Sequence, residues 1–210
     1  MKFENEENEL KISFEAFKKR VLEDYRLAVL SRECSLLGRR EVFSGKGKFG
    51  IFGDGKELPQ LAMNHFFQNG DFRSGYYRDQ TLLMAQGLLT VANIFSALYA
   101  HLDQSIEPMS GGRQMGGHFA TPFRNDKGEW LDLVNLKNHS GDISPTGSQM
   151  PRLLGLAQAS KVYREHKTQN SPKFSNEGNE IAWGTIGNAS TSEGMFFETI
   201  NAAGVLQVPM

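Results

Sequence analysis

IAWGTIGNASTSEGMFFETINAAG, residues 181–204, decides the fold. Residues 181–186 are short, apolar and tolerant of glycine, the pattern of a fully buried parallel strand. A loop of small and hydroxylic residues, 187–192, follows, and a helix is predicted from Glu193, burying Phe196 or Phe197, Ile200 and Ala203. Main-chain N–H groups at a helix start carry partial positive charge, so a strand-turn-helix unit of this kind can hold a phosphate. Gly187 permits the turn, Ala189 and Ser190 are small enough for close approach, and Asn188 offers a metal one carbonyl oxygen. The same residues also read as a plain helix cap by Ser190 or Ser192.

Working outward, Pro151 suits the first turn of a helix running to about Tyr163, and KTQNSPKFSNEGNE is a polar surface loop. Residues 105–149 read mostly as loop, and one this long in a compact domain is usually functional or disordered. Thr90 is predicted to cap a helix burying Val91, Phe95 and Leu98, after a helix through Met84 that ends near Gly87. Residues 71–79 read as a short strand and loop. Pro59 opens the helix before them, and GKGKFGIFGDGKE, residues 45–57, is a glycine-dense loop. Phe14, Phe17, Val21, Tyr25 and Ala28 share one helical stripe, so residues 13–33 read as an amphipathic helix. Residues 1–12 form a polar tail, and 13–210 one α/β domain with a parallel sheet. Val208-Pro209-Met210 reads as the start of another buried strand, so the chain is expected to be a piece of a longer protein.

A 39% hydrophobic content over 210 residues supports one real core. The net charge of −1 with mixed signs supplies no basic face for nucleic acid. No apolar run approaches the roughly 20 residues of a membrane span, and the acidic N-terminus is neither a signal nor a transit peptide. The single cysteine, Cys34, excludes an intramolecular disulfide framework. The expected setting is cytoplasmic.

Three further segments carry candidate chemistry. Tyr76-Tyr77-Arg78-Asp79 offers a guanidinium fork for phosphate oxygens, or a surface arginine paired with Asp79. GGRQMGGHF, residues 111–119, sets Arg113 and His118 among glycines. His118 is there to bind an anion or move a proton, or is structural; His139 is a weaker candidate. Residues 143–149, Ile-Ser-Pro-Thr-Gly-Ser-Gln, present hydroxyls, an amide and fixed carbonyls, for a ligand, a monovalent ion or a helix-entry turn.

Together, GYYRDQ, GRQMGGHF, SPTGSQMP and GNASTSEGMFFETINAAG resemble, in order, the α part of the thiamine-diphosphate-dependent decarboxylating component of 2-oxoacid dehydrogenases. GRQM followed by histidine is closer to branched-chain-type members than to pyruvate-type ones. The resemblance implies the N-terminal part of a thiamine-diphosphate-binding fold, preceded by a helix. It also implies oxidative decarboxylation of a 2-oxo acid with acyl transfer to the lipoyl groups of an acyltransferase, and dependence on a β part. Residue by residue, it assigns Tyr77 and Arg78 to the diphosphate end of the cofactor, Ser144 and Thr146 to its aminopyrimidine and the substrate pocket, and Ala189 and Ser190 to the floor under the diphosphate. Phe49 falls where the family has an aromatic residue lining the substrate channel, with Tyr77 and Thr146 nearby. Ile143, Pro145, Ser148 and Gln149 match a potassium-binding turn of branched-chain members. Asn188 stands where the family has an acidic magnesium ligand. The family pattern is Gly-Asp-Gly or Gly-Glu-Gly and this chain has Gly187-Asn188-Ala189, so a carboxylate elsewhere, expected some 30 residues downstream of the loop by the family's ligand spacing, would have to compensate. The alternative is a non-catalytic paralogue kept for assembly, its metal site degraded.

Overall fold

The computed structural model describes residues 12–113 and 117–210. Residues 1–11 of the polar tail and Gln114–Gly116 lie outside the described residues. In chain order the helices and strands are α1 (Phe14–Phe43), α2 (Glu57–Phe66), β1 (Phe72–Tyr76), α3 (Gln80–Ala85), α4 (Val91–Leu98), β2 (Asn138–Ile143), α5 (Gln149–Glu165), α6 (Ser171–Phe174), β3 (Ala182–Gly184) and α7 (Gly194–Leu206). Short 3-10 turns span Leu133–Asn135 and Ala189–Ser192. The fold is α/β: a parallel sheet in the order β2-β1-β3, with helices in the crossovers and α1 leading in.

β1 is central. Phe72 pairs with Asn138 and Ala182, and Ser74 with Ser140 and Gly184; the β2 register slips between Ser74 and Tyr76. β2 lies within residues 105–149, which were expected to be mostly loop, and was not foreseen there. NHSGDI lacks the apolar alternation that marks a strand, and its buried polar side chains are satisfied individually. Asn138 Nδ2 donates to the Leu133 carbonyl at 2.8 Å, and Ser140 Oγ to the Arg73 carbonyl at 2.7 Å. β3 is shorter than 181–186 and only Ala182 of it is buried. Beyond it, Ala182 N donates to the Pro209 carbonyl at 2.9 Å, so the last residues lie beside β3.

Apolar packing gathers in two places. Leu83, Met84, Leu89 and Phe119 form one cluster, and Met150, Leu153, Ala157 and Ala182 the other, between α5 and the sheet. Thr90 caps α4 in a full capping box with Asn93. Of the residues expected beneath α4, Leu98 is buried while Val91 and Phe95 are half-buried.

Two helices bury different faces from those expected. α1 runs ten residues further, to Phe43, and inserts Ser31, Cys34, Ser35 and Gly38. Phe14, Phe17, Val21 and Tyr25 are exposed. Small residues let the second half of α1 approach α3, where Ser31 Oγ and Thr81 Oγ1 are 2.7 Å apart and Gln80 Nε2 donates to Ser35 Oγ at 2.8 Å. α7 buries only Thr199; Phe197 and Ile200 face outward, and Phe196 and Ala203 are half-buried. No helix among the described residues is long and apolar enough to cross a membrane.

Candidate functional site

A cavity of about 400 Å³ opens at the C-terminal end of β1 and β3. This is where a parallel sheet is expected to place a ligand site. It is lined by Tyr76 at the end of β1 and Arg78 just after it, Lys56 and Gln60 at the start of α2, Gln149 at the start of α5, and Gly187, Asn188 and Ser190 after β3. The arginine and the loop after β3 thus meet across one space, though they lie 110 residues apart in sequence.

Arg78 is half-buried, and its guanidinium lies over the Tyr77 and Tyr76 rings, 5.2 and 5.9 Å from their centroids. Among the described residues it forms no ion pair: Asp79, the alternative partner, faces the other way. Asp79 Oδ2 accepts from Arg73 Nη1 at 2.5 Å and from Tyr76 N at 3.1 Å, and its Oδ1 accepts from Thr185 Oγ1 at 2.8 Å. The Arg78 main chain is fixed by Gln60, whose Nε2 donates to the Arg78 carbonyl at 3.0 Å while its Oε1 accepts from Leu82 N. A Cβ at Gly53 would lie 2.5 Å from that carbonyl, so the glycine-dense loop can pack here only because Gly53 has no side chain.

The loop after β3 is built differently from the simple helix start read in the sequence. Gly187, Asn188 and Ser190 line the cavity, but α7 begins only at Gly194. Its N-cap is Glu193, with no side-chain cap bond, so neither Ser190 nor Ser192 caps it. Thr191 Oγ1 donates to the Asn188 carbonyl at 2.6 Å and Ser192 Oγ to the Ala189 carbonyl at 2.7 Å, closing the 3-10 turn. The helix starts bordering the cavity are those of α2 and α5, and Lys56 before α2 is a cation that sequence reasoning missed. Its position after GDG and before a helix was the available signal.

Gln149 is buried. Its Nε2 donates to the Thr185 carbonyl at 2.8 Å, and its Oε1 has no hydrogen-bond partner among the described residues. Pro145 O already accepts from Ser148 N at 3.2 Å. Ile143, Ser144, Pro145, Thr146, Ser148 and Ala189 do not line the cavity.

Behind Tyr76 and Tyr77 lies a smaller, apolar cavity lined by Ile51, Phe52, Tyr77, Met109, Phe119 and Asp142 among others. Phe49 is exposed and does not line it; Ile51 and Phe52 occupy that side. The Tyr76 hydroxyl donates to Tyr77 at 2.9 Å, and burial together with that bond pushes Tyr76 up to about 12. The His118 ring is 5.9 Å from that of Tyr77, and its Nε2 is hydrogen-bonded to Ser144 Oγ. The loop leading to His118 is organised by the fully buried Glu107, which accepts from Met109 N, Ser110 N and Gly112 N. Although burial opposes its charge, these main-chain donors hold the carboxyl below its usual range.

Beneath both cavities is a buried ionic group. Arg73, fully enclosed, donates to Asp79, to Asp142 Oδ1 at 2.6 Å and to His139 Nδ1 at 2.8 Å. His139 Nε2 completes its contacts with Gln86 Oε1 at 2.6 Å, which fixes the proton on Nε2. Burial, with Arg73 and Lys137 nearby, pushes His139 down to about 2, so it is a structural neutral imidazole. Burial and the neighbouring Asp79 carboxylate push Asp142 up to about 6, outweighing the opposing pull of Arg73. No group of three or more histidine, cysteine, aspartate or glutamate side chains able to hold a metal occurs among the described residues.

The sequence model of the family described as dehydrogenase E1 component matches residues 25–210. The 2-oxoisovalerate dehydrogenase subunit alpha of Bacillus subtilis (strain 168) is 28% identical over 191 residues, covering 89% of this chain and 48% of that protein. The chain therefore spans about half the length of that curated relative. With a family match over most of its length, on a parallel α/β framework that opens one cavity between Arg78 and Asn188, the chain belongs to the dehydrogenase E1 component family.

Proposed function

We propose that this chain is the diphosphate-binding half of the α part of a thiamine-diphosphate-dependent 2-oxoacid dehydrogenase, of branched-chain type, with residues 13–210 an incomplete binding domain. It would work in the cytoplasm with a β part and a lipoyl acyltransferase. The carrying observation is the cavity that sets Arg78, which has no ion-pair partner among the described residues, opposite Gly187, Asn188 and Ser190. A pyrophosphate matches it in charge and size: Arg78 and Lys56 supply cations, and a volume of about 400 Å³ leaves room for the attached ring. When bound, thiamine diphosphate supplies the carbon nucleophile that adds to a 2-oxo group and accepts the electron pair left by departing carbon dioxide.

The chain's own part is to hold and orient. Arg78, with its guanidinium over the Tyr76 and Tyr77 rings, would hold the diphosphate. Tyr77, bordering the apolar cavity, faces the substrate side, where His118 and Ser144 form a hydrogen-bonded pair suited to moving a proton. Magnesium is less well provided for. Asn188 gives one neutral oxygen, and the carboxylate lining the cavity, Asp79, is already committed to Arg73, Tyr76 and Thr185. Of the potassium-turn residues, Gln149 has the buried, unpartnered oxygen, Oε1, that a cation could use.

Titration calorimetry with thiamine diphosphate and magnesium tests this. Saturable binding that Arg78→Ala weakens about tenfold or more supports it, since a charged hydrogen bond is worth about 1.5–3 kcal/mol. Silence in the intact protein would favour a non-catalytic paralogue kept for assembly.

A further inference from the structure

Far from the Arg78 cavity, a third cavity of about 170 Å³ lies between α5, α6 and β1. Its walls are aromatic: Phe72, Phe123, Trp130, Tyr163 and Phe174. The rings hold one another in place. Trp130 meets Phe174 edge-on at 4.8 Å, Tyr163 lies 5.3 Å from Phe174, and Phe72 meets Phe123 edge-on at 5.9 Å. One acid, Glu180, joins this lining. It is 7% exposed, and neither carboxyl oxygen has a hydrogen-bond partner among the described residues.

A carboxyl group enclosed by apolar walls with both oxygens unsatisfied is among the costliest things a fold can contain. Elsewhere this chain satisfies such groups fully. Glu57 is held by Arg32 through two bonds of 2.7 Å, Glu107 by main-chain amides, and Asp71 by Trp183 Nε1, Ile181 N and Gln68 N. Nearby cations are engaged elsewhere: Lys173 Nζ donates to the Trp130 carbonyl, Arg164 to the Gly178 carbonyl, and Arg124 lies 3.8 Å over the Trp130 ring. Aromatic rings attract cations through their faces, most strongly where water is excluded. Five rings around one unpartnered acid are complementary to a positively charged, amphiphilic molecule. The volume corresponds to roughly six waters, taking about 30 Å³ for each.

We propose that this cavity is a binding site for a small organic ammonium, an amine with an aromatic or aliphatic body, whose charged head pairs with Glu180 and whose body lies among Trp130, Tyr163 and Phe174. This does not rest on the thiamine reading, because no residue of the Arg78 cavity takes part.

The probes are 2-phenylethylammonium chloride and the neutral 2-phenylethanol, titrated near neutral pH into the full chain, with tryptophan fluorescence and calorimetry as readouts. The ammonium should bind saturably and at least about tenfold more tightly than the alcohol. Glu180→Gln should remove that preference while leaving thiamine diphosphate binding unchanged. Equal binding of the two probes, no binding of the ammonium, or a preference that survives E180Q would each overturn the proposal. The probe comparison on the unaltered protein decides the matter even if E180Q does not fold.

Discussion

Replacing Arg73 with methionine would remove the central cation of the buried ionic group while keeping most of its volume. Arg73 is fully enclosed and donates to Asp79, Asp142 and His139 over 2.5–2.8 Å. Without it, two carboxylates face each other with no cation between them, and His139 Nδ1 loses its donor. Breaking a buried pair by removing one partner costs about 3–5 kcal/mol, a large share of the roughly 5–15 kcal/mol that stabilises a domain. With a urea dependence of about 2 kcal/mol per molar, the unfolding midpoint should fall by about 1.5–2.5 M. Circular dichroism through a urea series measures this. Adding Asp142→Asn should restore about 1 kcal/mol or more, because one orphaned charge disappears. Asp79 is left intact, since it also holds Tyr76 N and Thr185. A loss below about 1 kcal/mol for Arg73→Met, or a double variant that is simply the sum of the singles, would refute the reasoning.

Three further outcomes follow from neighbouring geometry. In Gly75→Ala the new methyl would overlap Arg73 Nη1 and Asp142 Oδ1, both enclosed and bonded, so urea unfolding should show a loss of about 2 kcal/mol or more. Thr90→Ala removes the capping box of α4 and should cost about 1 kcal/mol, seen as a lower melting temperature with no change at the Arg78 cavity. For pH, His139 and Asp142 pull in opposite directions. His139 titrates near 6.5 unfolded and about 2 folded, so its contribution is full above 6.5 and is lost as pH falls. Asp142 titrates near 3.8 unfolded and about 6 folded, so its contribution is full below 3.8 and is lost as pH rises to about 6. Asp142→Asn removes the opposing slope; its urea midpoint should drop more between about pH 7 and about pH 5 than that of the unaltered protein.

Local signals in the sequence were strongest where a residue type has few alternative uses. Thr90 reads as a cap because threonine before an apolar helix does little else, and Gly87, with φ of +70°, reads as a helix end for the same reason. The meeting of Arg78 with the 187–190 loop was legible only through the order of four segments. β2 stayed hidden because Asn138, His139, Ser140 and Asp142 are polar, and their burial depends on partners distant in sequence. Arg73 is hidden likewise: one arginine in a strand carries no mark of the two aspartates it joins. The stripe on α1 was visible, yet where it lies depends on which half of the helix meets a neighbour. Ser31, Ser35 and Gly38 decide that by being small.

The paired tyrosines have a mechanical consequence. Tyr76 borders the Arg78 cavity and Tyr77 the apolar one, with their rings 4.1 Å apart and their hydroxyls joined. They form a party wall two rings thick, with a guanidinium leaning on both. Anything that tilts Tyr77 from the apolar side must shift the seat of Arg78 on the other, so the two chambers can sense each other's contents without movement of a single strand.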